Sequence, residues 1–200
     1  SNIAIGTGVA FRSMFNSQSK KFVTVIFFGE AATEEGIFTE SINFAAVHNL
    51  PILFVCENNL YSVYTPLKDR EPKKKNIINI TKNYGIESTS INGNDPLKVY
   101  SVSKKMINSI RKRNRPMFIE CKTYRWLEHC GPNWDDGLNY RPKGELKNWM
   151  KKCPLNFIKR KLGKKFSKNI INIERKIDQE IEMAFNFAKK SKLPDKKLIN

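Results

Sequence analysis

No apolar run in this 200-residue chain approaches the roughly 20 residues that cross a bilayer, which argues against a membrane-spanning helix. Residues 1–11 lack an initiating Met, a basic n-region and a small-residue cleavage site, so they do not read as a signal peptide. Ile3, Ile5, Val9 and Phe11 among small residues read instead as a helix entered partway, and further chain is expected before residue 1. Cysteine is scarce: Cys56, Cys121, Cys130 and Cys153 form no C-x-x-C pair, which argues against a zinc site and a disulfide framework. Cys56 and Cys121 fall inside apolar runs, where a small hydrophobe is the expected role, and a reducing, cytoplasmic compartment is expected. Acidic residues are few in the second half, where 26 Lys and Arg face 10 Asp and Glu, against ten and nine in the first. That excess is spread over helix faces in a chain also rich in Asn and Ile. It reads as a Lys/Asn bias, and neither a nucleic-acid nor a membrane partner is expected.

What is present is a globular composition, 40% hydrophobic and 11% aromatic, long enough for one substantial core. Residues 22–28 and 51–57 are short, continuous apolar runs, as expected of strands buried on both faces. Between them, 33–48 has helical spacing, with Thr33 the expected N-cap and Glu34 and Glu35 suited to a positive first turn. A β-α-β unit with parallel strands and a right-handed crossover follows. Residues 58–76 read as loop and 85–91 as a third strand. Asp95 and Pro96 cap and open a helix, and 115–126 returns to a strand. Residues 127–141 form a long loop dense in Gly, Pro, Asn and Asp. Beyond it, 145–164 and 167–191 read as helices, the second striped with Ile173, Ile177, Ile181, Ala184 and Ala188 as a packing face. The expectation is an α/β domain over 1–145, a parallel sheet flanked by helices, with a helical C-terminal extension over 146–200.

In an open parallel sheet, ligands bind beyond the C-terminal strand ends. Two strands here end in polar groups, one at Gly29-Glu30-Ala31 and the other at Glu57-Asn58-Asn59. A carboxylate and a carboxamide facing each other there offer the hard oxygens that Mg²⁺ takes, usually shared with substrate phosphates. Ala31 and Ala32 are small enough for close backbone approach, and the helix N-terminus that follows favours a diphosphate. Plainer readings stand beside these. Glu30 also suits a helix cap, the Asn pair a turn, Tyr61 a packing aromatic, and His129 a solvated loop histidine.

The paired strand ends resemble the thiamine diphosphate motif, usually Gly-Asp-Gly with an Asn pair some thirty residues on. The stretch from Glu34 to Pro66, and "RPMFIECKTYRWLEHCGPN" with a His four positions after its Thr-Tyr-Arg, narrow the resemblance. The chain is similar to the α subunit of the decarboxylating component of 2-oxo-acid dehydrogenase complexes, from about residue 3 to at least 150. The resemblance implies a thiamine diphosphate-binding fold. It also implies Mg²⁺ held by Glu30, the Asn59 side chain and the Tyr61 carbonyl. Ala31 and Ala32 would meet the diphosphate, Glu57 would touch the cofactor, and His129 would be the catalytic histidine on a loop that closes the site. It implies oxidative decarboxylation of a 2-oxo acid, pyruvate foremost, with acyl transfer to lipoamide. The implied partners are a β subunit in an α₂β₂ heterotetramer and a lipoyl-bearing acyltransferase. Alternatives are an acetoin dehydrogenase α subunit and a cofactor-poor structural subunit. The departures are Glu for Asp at position 30 and Ala for Gly at 31, where a left-handed backbone would be strained by about 1–2 kcal/mol. Cys130 stands where mammalian pyruvate dehydrogenases carry a regulatory Ser, so no phospho-switch is expected there.

Overall fold

The computed structural model of the chain describes residues 2–15, 22–195 and 197. Helix α1 (Asn2–Ser13) leads to strand β1 (Thr24–Gly29), a 3-10 turn (Glu30–Glu34) and helix α2 (Gly36–Val47). Strand β2 (Ile52–Asn58) is followed by a small hairpin of β3 (Tyr61–Ser62) and β4 (Thr65–Pro66), then by α3 (Leu67–Arg70) and α4 (Ile77–Asn83). Strand β5 (Glu87–Asn92), helix α5 (Pro96–Arg113) and strand β6 (Met117–Lys122) complete the sheet, and α6 (Glu145–Met150) closes the first unit.

The four long strands lie in the order β1-β2-β6-β5, all parallel. Handedness explains the layering. Moving outward from β1 to β2, and on past β6 to β5, places α2 and α4 on one face, whereas the return from β5 to β6 places α5 on the other. The core accordingly falls into two clusters. Phe28, Phe38, Ile42, Phe54, Ile78 and Phe118 pack on the first face, and Leu53, Val55, Met106, Ile110 and Ile119 under α5. Strands β2 and β6 are buried on both faces, which is why they read as continuous apolar runs. Strand β1 alternates instead, leaving Val25 and Phe27 exposed on the α5 side. Gly6 lets α1 lie close on β1, since a Cβ there would come within 2.5 Å of Ile26.

Several local expectations are corrected. Thr33 is not an N-cap: its hydroxyl donates to the Glu30 carbonyl at 2.7 Å, closing the 3-10 turn, and α2 starts three residues later. The stretch 58–76 holds the hairpin and α3 rather than loop alone. Pro154 divides the expected helix over 145–164, because it cannot continue the α6 hydrogen-bond ladder and instead opens α7 (Pro154–Leu162). Asp95 caps α5 as expected, accepting from the N–H groups of Leu97 and Lys98 at 3.1 Å each.

The chain divides into two compact units, Ser1–Pro154 and Leu155–Asn200. Within the first, α6 places Trp149 in a stack on Tyr124, ring centroids 5.2 Å apart. The second holds most of α7 and the long helix α8 (Ser167–Lys190), joined by a Lys159–Glu174 ion pair. Along α8, Ile173, Ile177 and Ile181 are exposed. Among the described residues no helix is long and apolar enough to cross a membrane.

Candidate functional site at the strand ends

Register brings the first two strand ends together. Gly29 pairs with Glu57 across β1 and β2, so Glu30 leaves the sheet just where Asn58 and Asn59 end the neighbouring strand. Glu30 is only 1% exposed. Burial holds the Glu30 carboxyl above its ordinary range. Its own backbone N–H, the Arg70 guanidinium and the Asn59 N–H pull the other way without overcoming that. Arg70 Nη2 donates to Glu30 Oε1 at 2.5 Å, and its Nη1 is paired with Glu34.

The Asn pair is fixed by separate bonds. Asn58 Nδ2 donates to Glu120 Oε1 at 2.8 Å, both residues being buried, and Asn58 Oδ1 accepts from the Leu60 N–H at 3.2 Å. Asn59 Oδ1 accepts from the Tyr61 N–H at 2.9 Å, the turn-forming habit of this residue type. Tyr61 is buried, and its hydroxyl donates to Glu145 Oε2 at 2.9 Å. Ala31 and Ala32 are half-buried in the 3-10 turn. Ala31 is not among the residues with positive φ, so the strain expected of a left-handed backbone at that position is absent. Glu57 is exposed. The Cys56 thiol, behind this edge, is fully buried and pushed up by that burial, with Glu120 and Glu30 adding to it.

A model of the family described as dehydrogenase E1 component matches residues 1–197. The chain belongs to that family. It is 36% identical over 152 residues to a 2-oxoisovalerate dehydrogenase subunit alpha of Bacillus subtilis, covering 76% of this chain and 44% of that one. Against a chloroplastic pyruvate dehydrogenase E1 component subunit alpha-3 of Arabidopsis thaliana the identity is 33% over 203 residues, covering 96% and 46%. The chain therefore spans about half the length of these relatives. In fold it is similar to a transketolase mutant from Pichia stipitis crystallised with xylulose 5-phosphate. That likeness has a TM-score of 0.50 at 16% identity, covering 60% of this chain and 19% of the other.

In this E1-family chain, the segment after β6 carries His129. The side chains of Arg125, Asp135, Tyr140 and Arg141 tie it down. Arg141 Nη1 lies 3.0 Å from Asp135 Oδ1, with both side chains buried. Tyr140 donates to Asp135 Oδ2 at 2.5 Å, and Arg125 Nη2 donates to the Val63 carbonyl at 2.6 Å. His129 itself is exposed, at the tip of a small ring closed by Glu128 and Asn133. Glu128 Oε1 accepts from Asn133 Nδ2 at 2.7 Å, and the two backbones are bonded at 3.0 Å. The structure thus brings Glu30, Ala31, Asn59 and Tyr61 to adjacent strand ends and places His129 on an exposed loop tip.

Sequence reasoning missed Arg70, Glu120, Asp135 and Arg141. A lone charge inside the apolar run 116–121 was a legible signal for Glu120. Arg70 sits in a stretch with nothing to distinguish it from the basic residues around it.

The residues present fit a divalent cation. Glu30 is a buried carboxylate that already holds a cationic partner, and Asn59, with its side-chain oxygen, follows the neighbouring strand end. Both are hard oxygen donors of the kind Mg²⁺ prefers. Among the described residues there is no cluster of three or more His, Cys, Asp and Glu, so any metal here would be held largely by Asn, backbone and phosphate oxygens.

Proposed function

We propose that this chain is part of the α subunit of a 2-oxo-acid dehydrogenase decarboxylating component, working with a β-type partner. In this reading it binds thiamine diphosphate and Mg²⁺ and catalyses oxidative decarboxylation of a 2-oxo acid, pyruvate foremost, with the acyl group passing to a lipoyl-bearing acyltransferase. The observation that carries the reading is the buried Glu30 carboxylate at the end of β1, set beside Asn58 and Asn59 by the pairing of Gly29 with Glu57. Family membership supports it.

Glu30, the Asn59 side chain and the Tyr61 carbonyl would hold the metal. Ala31 and Ala32 would let the diphosphate approach their backbone, because neither side chain extends past Cβ. When bound, the thiamine group supplies the electron sink for decarboxylation. Glu57, exposed at the end of β2, would contact the cofactor. His129 would move a proton at the reacting carbon, and the segment 127–141 that carries it would close over the site once cofactor is bound.

A specific observation favours a second reading. The Glu30 carboxylate and the Asn59 carboxamide oxygen are both engaged, by Arg70 and by the Tyr61 N–H, as they would be in a cofactor-poor structural subunit. Calorimetric titration of the full α/β complex with thiamine diphosphate, with and without Mg²⁺, separates the two. The enzymatic reading expects Mg²⁺-dependent binding that Glu30→Ala abolishes, and metal-independent binding or none would leave the structural one. Turnover of pyruvate, branched-chain 2-oxo acids and acetoin by the same complex then assigns the substrate.

A further inference from the structure

We propose that Arg70 is an internal cation that competes with the metal for the Glu30 carboxylate, so that metal binds well only when a diphosphate takes the guanidinium over. The proposal rests on the reading of Glu30 as a metal ligand. Arg70 Nη2 lies 2.5 Å from Glu30 Oε1, a charge-assisted bond to a carboxylate that is 1% exposed. A Mg²⁺ ion would need that oxygen at about 2.0–2.1 Å. A divalent ion and a guanidinium on one buried oxygen repel each other far more strongly than they would in water. One of them has to move.

Arg70 has somewhere to go. Its Nη1 is already paired with Glu34, one turn along the same 3-10 segment and 29% exposed at its side chain. Its Nε donates to the Thr65 carbonyl at 3.3 Å, which keeps the side chain near the strand ends after it leaves Glu30. Arg70 ends the four-residue α3, none of whose residues is fully buried, and its side chain, 11% exposed, lies at the edge of the fold beside the exposed Glu34 rather than inside a core cluster. A guanidinium also matches phosphate oxygens with two parallel bonds. The anion that arrives with the metal would therefore relieve the repulsion. Metal and diphosphate become thermodynamically coupled through one side chain, and the coupling is reciprocal.

The test titrates Mn²⁺ into the full α/β complex and follows free Mn²⁺ by electron paramagnetic resonance, with and without thiamine diphosphate. Arg70→Gln should tighten Mn²⁺ binding without diphosphate by about tenfold or more, and reduce the enhancement given by diphosphate by the same factor. Arg70→Lys, which keeps the charge, should bind Mn²⁺ alone as weakly as the wild type; a purely structural role would give both variants the same defect. Unchanged or weaker binding of Mn²⁺ alone by Arg70→Gln would overturn the proposal while leaving Glu30 a ligand. Failure of the wild type and both variants to take up Mn²⁺ with diphosphate present would overturn the metal site and this proposal together.

Discussion

Replacing Asp135 by Asn removes one charge and almost no volume, yet it should loosen the segment that carries His129 far more than a surface change could. Asp135 is 3% exposed and Arg141 is 6% exposed. Their side chains face each other at 3.0 Å, while Arg141 also donates to the carbonyls of Trp126 at 3.2 Å and Arg125 at 3.1 Å. The Asn variant can still accept from Tyr140, but it leaves the Arg141 cation buried without its counter-ion, at a cost of about 3–5 kcal/mol. Because these bonds hold a peripheral segment, the cost should appear as local opening before it appears as global unfolding. At about 1.4 kcal/mol per decade, amide exchange over residues 126–141 should accelerate by roughly two to three and a half orders of magnitude. Amides of β2 and β6 should keep their protection. Hydrogen exchange read by mass spectrometry resolves the two regions. Adding Arg141→Met to Asp135→Asn removes the orphaned cation and should restore much of the protection. An acceleration below about tenfold in 126–141, or an equal one in the central strands, would refute the idea that this ion pair holds the loop.

The remaining expectations concern the strand ends and the loop that carries His129. Burial sets Glu30 above its usual value of 4.5, so the folded chain keeps a proton that the unfolded chain has lost. Stability present below that pH is lost as pH rises through the folded value. Glu30→Gln escapes the loss, and calorimetric scans without metal should show its melting temperature gaining on the wild type from pH 4.5 upward. Asn58→Ala strips the 2.8 Å donor from the buried Glu120 carboxylate and should cost about 1.5–3 kcal/mol in urea unfolding. A cost under 0.5 kcal/mol would mean that Glu120 is satisfied elsewhere. His129→Ala, at an exposed position, should leave stability within about 0.5 kcal/mol. It should lower turnover of the α/β complex by about 10²–10⁴ if the histidine moves a proton.

How much of this was legible in the chain follows from what each signal depends on. The buried strands and the Asp95-Pro96 helix start are local, and periodicity or cap chemistry exposes them directly. Glu30 and Asn59 were legible because parallel strands joined by a helix place their C-terminal ends side by side whatever the detail of packing. Thr33 misled because a Thr before acidic residues suits a cap, whereas here its hydroxyl turns back to the Glu30 carbonyl and stabilises a 3-10 segment that no spacing announces. Arg70, Asp135 and Arg141 act on groups that are distant in sequence or folded back across a loop. Nothing local marks them off from other charges.

Position 31 was where strain was expected, and the backbone places it elsewhere. Leu60 and Val63 have φ of 74° and 53°, both in the left-handed region and both within four residues of the Asn pair. A left-handed backbone costs an ordinary residue about 1–2 kcal/mol, and a β-branched one such as Val63 fits it badly. Hydrogen bonds hold the turn in place: Leu60 N–H to Asn58 Oδ1, Leu67 N–H to the Leu60 carbonyl at 2.8 Å, and Arg125 to the Val63 carbonyl. The strain therefore sits in the loop that would present Asn59 and Tyr61 to a metal, and it is held there from β2, α3 and the segment after β6. Val63 is 37% exposed, so little packing is at stake. Val63→Asn, a residue that tolerates this conformation, should stabilise the chain by about 1 kcal/mol. Thermal unfolding without metal checks it, and a destabilised variant would mean that the Val63 side chain contributes contacts worth more than the strain it carries.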